Sequence, residues 1–453
     1  MESQINEADW DQLQQILDQG DTGRLNDFLA DWHFDDTALA VSRMDEDHRR
    51  LFLSTLDPEV AAELLECMSN AQAVALVGEL EAEAAASIVQ EMQSDVQADV
   101  IGELSTRQAE AILENLEPAD AESLRQLSLY EDDEAGGLMI TEYLAYPSGW
   151  TVQQVVDDLR TNADEYRDMQ VQYAFVISED DGLLGVLRLR DLLLASARQQ
   201  IQTLMIGDPL TVNDHTSLDD LRQFFDDHDF IGVPVITEQR RLIGLVTREA
   251  VEEALAERYE DDYRKSQGLV QEELRSMPLW LRSRRRLAWL SINILLNLFA
   301  ASVIAMYQNI LQQVIALAVF LPIISDMSGC TGNQAVAVSM RELSLGLVRP
   351  KELFRVFLKE ASVGLINGSI LGSLIAILAF VYQKNVWLGL VVGVALGLNS
   401  LLAVVLGGML PLAMKRINMD PALASGPILT TVTDMCGFFI VLSLASFALP
   451  YLV

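Results

Sequence analysis

The feature that most constrains this chain is a set of five apolar stretches in its C-terminal part. Each is long enough to cross about 30 Å of hydrocarbon as an α-helix. The stretches cover residues 287–308, 314–340, 361–383, 386–414 and 428–452. Only Asp326 and Asp434 are charged within them. The sequence therefore predicts an integral membrane protein with a five-span α-helical transmembrane domain over residues 278–453.

Basic residues occupy three of the segments beside these stretches. They are Arg282, Arg284, Arg285 and Arg286, then Arg341, Arg349, Lys351, Arg355 and Lys359, then Lys415 and Arg416. Positive residues favour the cytoplasmic side of a membrane. The pattern predicts a multi-pass protein of the plasma (inner) membrane whose N-terminal domains are cytoplasmic and whose C-terminus lies outside.

The charge of the chain is strongly asymmetric. Of its 66 acidic residues, 60 lie before Pro278, together with only 19 of the 31 Lys and Arg residues. An acidic domain of this kind repels nucleic acid and attracts cations, so divalent cations are the expected partners and nucleic acid is excluded. Solubility alone, or a salt-rich habitat, is the alternative explanation for the acidity.

Polar residues interrupt the second stretch at LPIISDMSGCTGNQ. On a helix, four of these residues share one face: Asp326, Cys330, Asn333 and Gln334. The fifth stretch carries Thr430, Thr431 and Asp434 at a similar spacing. A carboxylate at membrane depth indicates function, and no Lys or Arg lies in these stretches to neutralise it. We predict that these seven residues line an ion pathway and that Asp434 is its principal charge.

Two ions fit this pathway. Mg²⁺ retains its waters and is usually bound by only one or two carboxylates, which suits a pathway with few acidic groups. A softer metal is the alternative, because Cys330 could supply a thiolate ligand. No Walker loop, GxSxG or HExxH motif is present and the four histidines are scattered, so the sequence does not predict an enzyme.

The cytoplasmic part begins with a repeat of 24 residues between Leu51 and Leu116. The pattern Leu-x₄-Ala-x₆-Met/Leu starts at Leu56, Leu80 and Leu104. A fixed period of this length predicts a small solenoid of short helices. We assign residues 1–134 to an acidic helical-repeat domain.

Residues 135–250 follow a different pattern, of two strand–turn–strand–helix units that resemble a tandem pair of CBS domains. Such domains can bind an adenosine nucleotide through a Ser or Thr and an Asp three residues later. Here Arg188 precedes Asp191, and Thr247 precedes Ala250. Asp191 and Thr247 are therefore the candidate nucleotide residues, each in an incomplete motif, and a purely structural or dimerising role is the alternative.

A strongly charged helical segment, residues 251–277, connects these units to the membrane domain. Glu253, Glu257, Glu260 and Asp261 form one acidic stripe on it, with no matching bases expected nearby. We predict that the stripe is a regulatory metal site. A solvated linker helix is the ordinary alternative.

Two segments of the membrane domain, GCTGNQ and DPALASGPILTTVTDMCGFFIVLSLA, resemble the signature segments of the MgtE family of bacterial Mg²⁺ transporters. The resemblance implies a homodimer with five spans per subunit and a pore between the second and fifth spans, where Asp434 is the pore aspartate. It also implies a superhelical N-terminal domain, a CBS pair, and a plug helix over the cytoplasmic pore mouth. High cytoplasmic Mg²⁺ would close the pore through the acidic domains.

Three positions depart from the family pattern. Cys330 replaces an Asn, Gln308 replaces a Glu, and Asp326 stands where Gly is common. These changes leave open a broader divalent pore. They also leave open a membrane-tethered sensor that has lost transport, and the sequence does not distinguish a channel from a carrier coupled to Na⁺ or H⁺.

Overall fold

The computed structural model describes residues 13, 16, 17, 19, 22–29, 32, 34–163, 166, 169, 173–269, 273, 279–417 and 419–453. The chain divides into two compact units, Met1–Arg258 and Tyr259–Val453. The division falls inside the charged connecting segment.

The first unit begins with nine described helices, all of ten residues or fewer. They are α1 (Thr22–Leu29), α2 (Phe34–Arg43), α3 (Glu46–Thr55), α4 (Pro58–Glu66), α5 (Asn70–Val77), α6 (Ala82–Glu91), α7 (Ser94–Glu103), α8 (Thr106–Leu113) and α9 (Pro118–Leu127).

The 24-residue period corresponds to one pair of these helices. Helix α4 packs against α6, α5 against α7, and α6 against α8, so each helix contacts the equivalent helix of the next repeat. Leu56 and Leu104 are buried where helices α3 and α7 end, and Ala61 and Ala85 are fully buried. The repeat therefore exists because short helices bury their apolar faces only against their neighbours.

Two four-stranded sheets follow in the same unit. Their elements are β1 (Met139–Ile140), β2 (Leu144–Pro147), α10 (Val152–Thr161), β3 (Tyr173–Ile177), β4 (Leu183–Arg188), α11 (Leu189–Leu194), β5 (Ile206–Gly207), β6 (Val212–Asn213), α12 (Leu218–Asp227), β7 (Gly232–Ile236) and β8 (Leu242–Thr247). A short 3₁₀ turn, Ile201–Thr203, precedes β5.

The two sheets have equivalent topologies, with strand orders β2-β3-β4-β5 and β1-β8-β7-β6. In each sheet a parallel pair, β2 with β3 or β6 with β7, encloses one crossover helix, and an antiparallel hairpin follows. The halves meet through a small apolar cluster of Phe175, Leu183, Ile236 and Leu242. The predicted tandem of strand–turn–strand–helix units is confirmed at this level.

The connecting segment forms α13 (Arg248–Ser266), a helix in which only Val251 is buried. The helices of the second unit are α14 (Leu279–Met306), α15 (Gln308–Gln313), α16 (Leu317–Ser344), α17 (Leu353–Gln383), α18 (Val386–Arg416) and α19 (Pro421–Leu452).

Four helical segments among the described residues are long and apolar enough to cross a membrane, judged by length and composition. They are Leu279–Met306, Leu353–Gln383, Val386–Arg416 and Gly426–Leu452. Helix α16 is 28 residues long but is not one of them, because its polar stretch from Ser325 to Gln334 lowers its hydropathy. Four of the five predicted spans are thus supported by composition.

Helices α17 and α18 approach closely along small residues, as the glycine spacing predicts. A Cβ built on Gly368 would lie 2.5 Å from the carbonyl oxygen of Gly397. No larger residue fits at such a distance between two helix backbones, so these glycines serve helix packing.

Candidate functional site

Asp434 lies on α19 and turns toward α16 inside the second unit. Its side chain accepts a hydrogen bond of 2.5 Å from the hydroxyl of Ser325 to Oδ1. The residue is 6 % exposed. The five apolar stretches contain no Lys or Arg, so no basic residue of the spans neutralises this carboxylate. A buried carboxylate without a basic neighbour is costly in an apolar bundle, and a cation is its natural counter-charge.

Sequence reasoning missed Ser325. The sequence instead points to its neighbour Asp326 as a pathway residue, because Asp326 is charged. Consecutive residues of a helix, however, point about 100° apart. The hydroxyl of Ser325 therefore meets α19 while Asp326 is exposed. An uncharged hydroxyl beside a more conspicuous acid offers no signal that could have identified it.

The four polar residues predicted on α16 share an exposed face of this protomer: Asp326, Cys330, Asn333 and Gln334. Asp434 is instead buried, with its carboxylate hydrogen-bonded to Ser325 of α16. Thr430 and Thr431 donate hydrogen bonds of 2.9 and 2.8 Å to the carbonyl oxygens of Gly426 and Pro427. Their hydroxyl oxygens can still accept hydrogen bonds from the water shell of an ion.

Within the described part of the chain, no three or more His, Cys, Asp or Glu side chains are grouped so as to hold a metal. An ion beside Asp434 would therefore meet fewer than three such side chains of the described residues and would keep part of its water. Mg²⁺ dehydrates reluctantly and tolerates this arrangement, whereas thiolate-binding metals prefer several soft ligands.

The acidic stripe of α13 has a more complex environment than predicted. Glu253, Glu257 and Glu260 are exposed. Asp261 accepts 2.7 and 3.4 Å contacts from Lys265 and Arg264 one turn later. The prediction that the stripe has no matching bases nearby is therefore wrong for Asp261, because the helical spacing of three and four residues brings these cations to it.

The C-terminal end of α13 contacts two helices of the second unit. The ammonium of Lys265 lies 3.2 Å from Oδ2 of Asp420, whose Oδ1 caps the N-terminus of α19 by accepting from the amide of Ala422. The guanidinium of Arg341 on α16 lies 5.8 Å from the ring centroid of Tyr259. A movement of this end of α13 would therefore displace the C-terminal end of α16 and the N-terminal end of α19.

A second group of carboxylates lies on α7, where the sequence predicts no site. Burial, with Glu142 and Glu66 nearby, raises the pKa of Asp95 to about 6. Burial, with Asp132 and Asp95 nearby, raises the pKa of Asp99 to about 8. The spacing of four residues places both carboxylates on one face of α7. These groups repel one another when ionised, and a proton or a cation relieves the repulsion.

We expect this group to make the stability of the protein depend on pH. The folded-state pKa of Asp99 exceeds its ordinary value of 3.8, so the folded state binds more protons and stability falls as pH rises from about 4 through about 8. At pH 8 we expect Asp99→Asn to stabilise the full chain by about 2 kcal/mol, less than the shift alone implies because solvent screens part of it. At pH 4.5, close to the unfolded-state pKa, the difference between variant and parent should be much smaller. Thermal unfolding at both pH values measures this, and an equal difference at both would contradict it.

Both candidate nucleotide residues form hydrogen bonds within the chain. Asp191 accepts a 2.9 Å hydrogen bond from the guanidinium of Arg188. The hydroxyl oxygen of Thr247 accepts a 3.0 Å hydrogen bond from the amide of Ala250, at the start of α13. A ribose would have to compete with these contacts, so adenosine-nucleotide binding stays a prediction.

Comparison with known proteins gives consistent matches along the chain. Three family models match the chain. The MgtE intracellular N domain matches residues 32–133, the CBS domain matches residues 135–198 and 201–257, and the MgtE divalent cation transporter matches residues 321–444. The magnesium transporter MgtE of Thermus thermophilus is 33 % identical over 441 residues, which are 96 % of this chain and 97 % of that protein. The magnesium transporter MgtE of Bacillus subtilis is 29 % identical, over 91 % of each chain.

A solved structure, the soluble part of a magnesium transporter, matches the fold with a TM-score of 0.50 at 23 % identity. The match covers 56 % of this chain and 98 % of that structure. The likeness shows the fold of the helical-repeat domain and CBS pair. The curated relatives are transporters and not enzymes.

Proposed function

Because the chain belongs to the MgtE family of magnesium transporters, we propose that it is a Mg²⁺ channel whose pathway passes Asp434 and closes at high cytoplasmic Mg²⁺. The observation that carries the proposal is the buried Asp434 carboxylate, which accepts from Ser325 and has no basic residue in the spans to neutralise it. A hydrated divalent cation supplies the missing charge.

We place the pore at a homodimer interface. The face of α16 that carries Asp326, Cys330, Asn333 and Gln334 is polar and exposed in the protomer, which is unfavourable against lipid. A second copy of the chain, with a water-filled space between the two subunits, would accommodate this polar face. In this arrangement α16 is the second of five spans, and its polar face and α19 line the pore.

Gating follows from the position of α13, which we propose is the plug helix. Mg²⁺ ions that bridge Glu253 and Glu257 to carboxylates of the cytoplasmic domains, or that bind Glu260, would favour the closed state. Asp95 and Asp99, whose pKa values are raised, are candidates for such bridging. A complete switch requires roughly 5.5 kcal/mol of preferential binding, which several ions can share. The Lys265–Asp420 contact would then carry the displacement to α19.

Flux measurements on the purified protein in liposomes test the proposal. We expect Mg²⁺ uptake that stops when the cytoplasmic face meets millimolar Mg²⁺, and unitary currents in planar bilayers. Uptake that requires a Na⁺ or H⁺ gradient, without unitary currents, would favour the coupled carrier. Absence of flux from correctly folded dimers would favour the sensor, and equal Co²⁺ or Zn²⁺ flux would favour a broader divalent pore.

Topology makes an independent prediction. With cytoplasmic N-terminal domains and five spans, a cysteine added after Val453 should react with an impermeant thiol reagent applied outside cells. A cysteine replacing Ser283, next to the arginines before the first span, should be protected until the membrane is permeabilised. Both cysteines should be introduced into a variant that lacks Cys67, Cys330 and Cys436, because these native thiols would also react. The reverse pattern would rule out a cytoplasmic sensor domain.

A further inference from the structure

Asn399 is an unusual residue of the helical bundle. It lies on α18 and is fully buried, yet neither its amide nitrogen nor its amide oxygen has a hydrogen-bond partner among the described residues. The hydroxyl of its neighbour Ser400 is also fully buried and unpartnered within the same set of residues. Unpaired polar atoms in an apolar bundle cost free energy, so a group that can pair with them is expected there.

The surroundings of Asn399 place it close to the pore carboxylate. Its amide nitrogen abuts Gly437 of α19, at the place where a Cβ would stand in any other residue. A methyl carbon of Ile324 lies 3.2 Å from that same place, and Ile324 precedes the Ser325 that donates to Asp434. Asn399 therefore lies where α16, α18 and α19 meet.

Helix geometry sets the distance from Asn399 to the carboxylate. Gly437 follows Asp434 by three residues, and side chains at this spacing are neighbours with Cβ atoms about 5–6 Å apart. A water molecule that bonds to two groups at about 2.8 Å each spans nearly the same distance. Oδ1 of Asp434 accepts from Ser325, and lone pairs remain on Oδ2 to accept a further hydrogen bond.

The chemistry of an amide decides which ligand fits. Its oxygen needs a donor and its NH₂ group needs an acceptor, so a cation would satisfy only the oxygen and an anion only the nitrogen. Water supplies both, and a buried water typically makes about three hydrogen bonds. Ser400 offers a third polar group. It lies one turn before Ala403, on the side of α18 that approaches Gly332 of α16.

We propose that Asn399, with Ser400, holds an internal water that hydrogen-bonds to Asp434, and that Asn399 is a positioning residue for the pore carboxylate. The water and Ser325 together fix the direction in which the carboxylate points. The role rests on the proposed ion pathway, because it concerns how Asp434 is presented to Mg²⁺. Asn399 itself touches no ion.

Substitution of Asn399 tests this role in the full-length protein. Asn399→Leu replaces the amide by an apolar group of similar volume. We expect the Mg²⁺ concentration for half-maximal flux to rise about tenfold, as when residues that orient a metal ligand by hydrogen bonding are lost. Maximal flux should change less. Asn399→Ser keeps a polar group and room for water, and should remain within about twofold of the parent. Asn297→Leu, the same change at an exposed position of α14, is the matched control.

A purely structural role predicts the opposite outcome. Removing unpaired buried polar atoms would raise the melting temperature in Asn399→Leu and leave the half-saturating Mg²⁺ concentration unchanged, and that result would overturn the proposal. A high-resolution structure of the parent protein decides the matter even if the variant does not fold. Density for a water between Asn399 and Asp434 supports the proposal, and a dry contact overturns it. This readout does not depend on flux, so it separates failure of the inference from failure of the proposed function.

Discussion

Asp434→Asn is expected to reduce Mg²⁺ flux by about a hundredfold or more, the equivalent of roughly 2.8 kcal/mol. The substitution removes the one buried charge of α19 but keeps the side-chain volume and an oxygen that accepts from Ser325. The protein should therefore fold and dimerise normally. Flux of Mg²⁺ into liposomes containing equal amounts of parent and variant protein measures the effect.

Two further variants make this measurement specific. Asp229→Asn, the same chemical change on an exposed surface of the CBS pair, should leave flux unchanged. Ser325→Ala removes the donor but keeps the charge, so it should cause a much smaller loss than Asp434→Asn. If Asp434→Asn retained normal flux in a well-folded dimer, the ion pathway would have to lie elsewhere.

The second large effect concerns closure. Neutralising the stripe of α13, with Glu253, Glu257 and Glu260 changed to Gln and Asp261 to Asn, should keep the pore open at millimolar cytoplasmic Mg²⁺, where parent flux falls to background. The carboxylates are the groups that would bind the bridging Mg²⁺ ions, and amides bind Mg²⁺ far more weakly. Flux at low and at millimolar cytoplasmic Mg²⁺ gives the comparison.

The environment of Asp261 requires a second variant, because its contacts with Lys265 would also be lost. The triple change of the three glutamates leaves the contact of Lys265 with Asp420 intact and isolates ion binding. For the four-residue stripe variant, four exposed glutamates outside α13, changed to Gln, provide a charge-matched control: Glu91, Glu117, Glu179 and Glu238. Limited proteolysis should show Mg²⁺-dependent protection of residues 250–276 in the parent and the control only. Equal protection in the triple variant would make α13 a linker without a regulatory role.

Features set by local composition were predictable from the sequence. Helices α14, α17, α18 and α19 follow from apolar runs longer than a bilayer requires, and the helical repeat follows from its period of 24 residues. The strand–turn–strand–helix units were predicted for the same reason. Helix α16 is the least clear of the predicted spans, because the polar residues that point to function also lower its hydropathy below that of the other four.

Pairings between elements could not be predicted from a single sequence. Asp434 was identified as a charge at membrane depth, but its partner Ser325 depends on how α16 is rotated against α19. The raised pKa values of Asp95 and Asp99 arise first from burial of the two carboxyl groups and second from acidic residues of other segments that the fold brings near them.

The sequence by itself determined the class of protein, the segments that can span a membrane and the charge at the centre of the proposed pathway, because periodicity and hydropathy are local properties. Only the tertiary structure decided which groups surround that charge, that Lys265 also contacts Asp420 at the N-terminus of α19, and that Asn399 is buried beside Gly437. Such contacts depend on the rotation and separation of helices. Those are set by the packing of many side chains at once, and no local pattern records them.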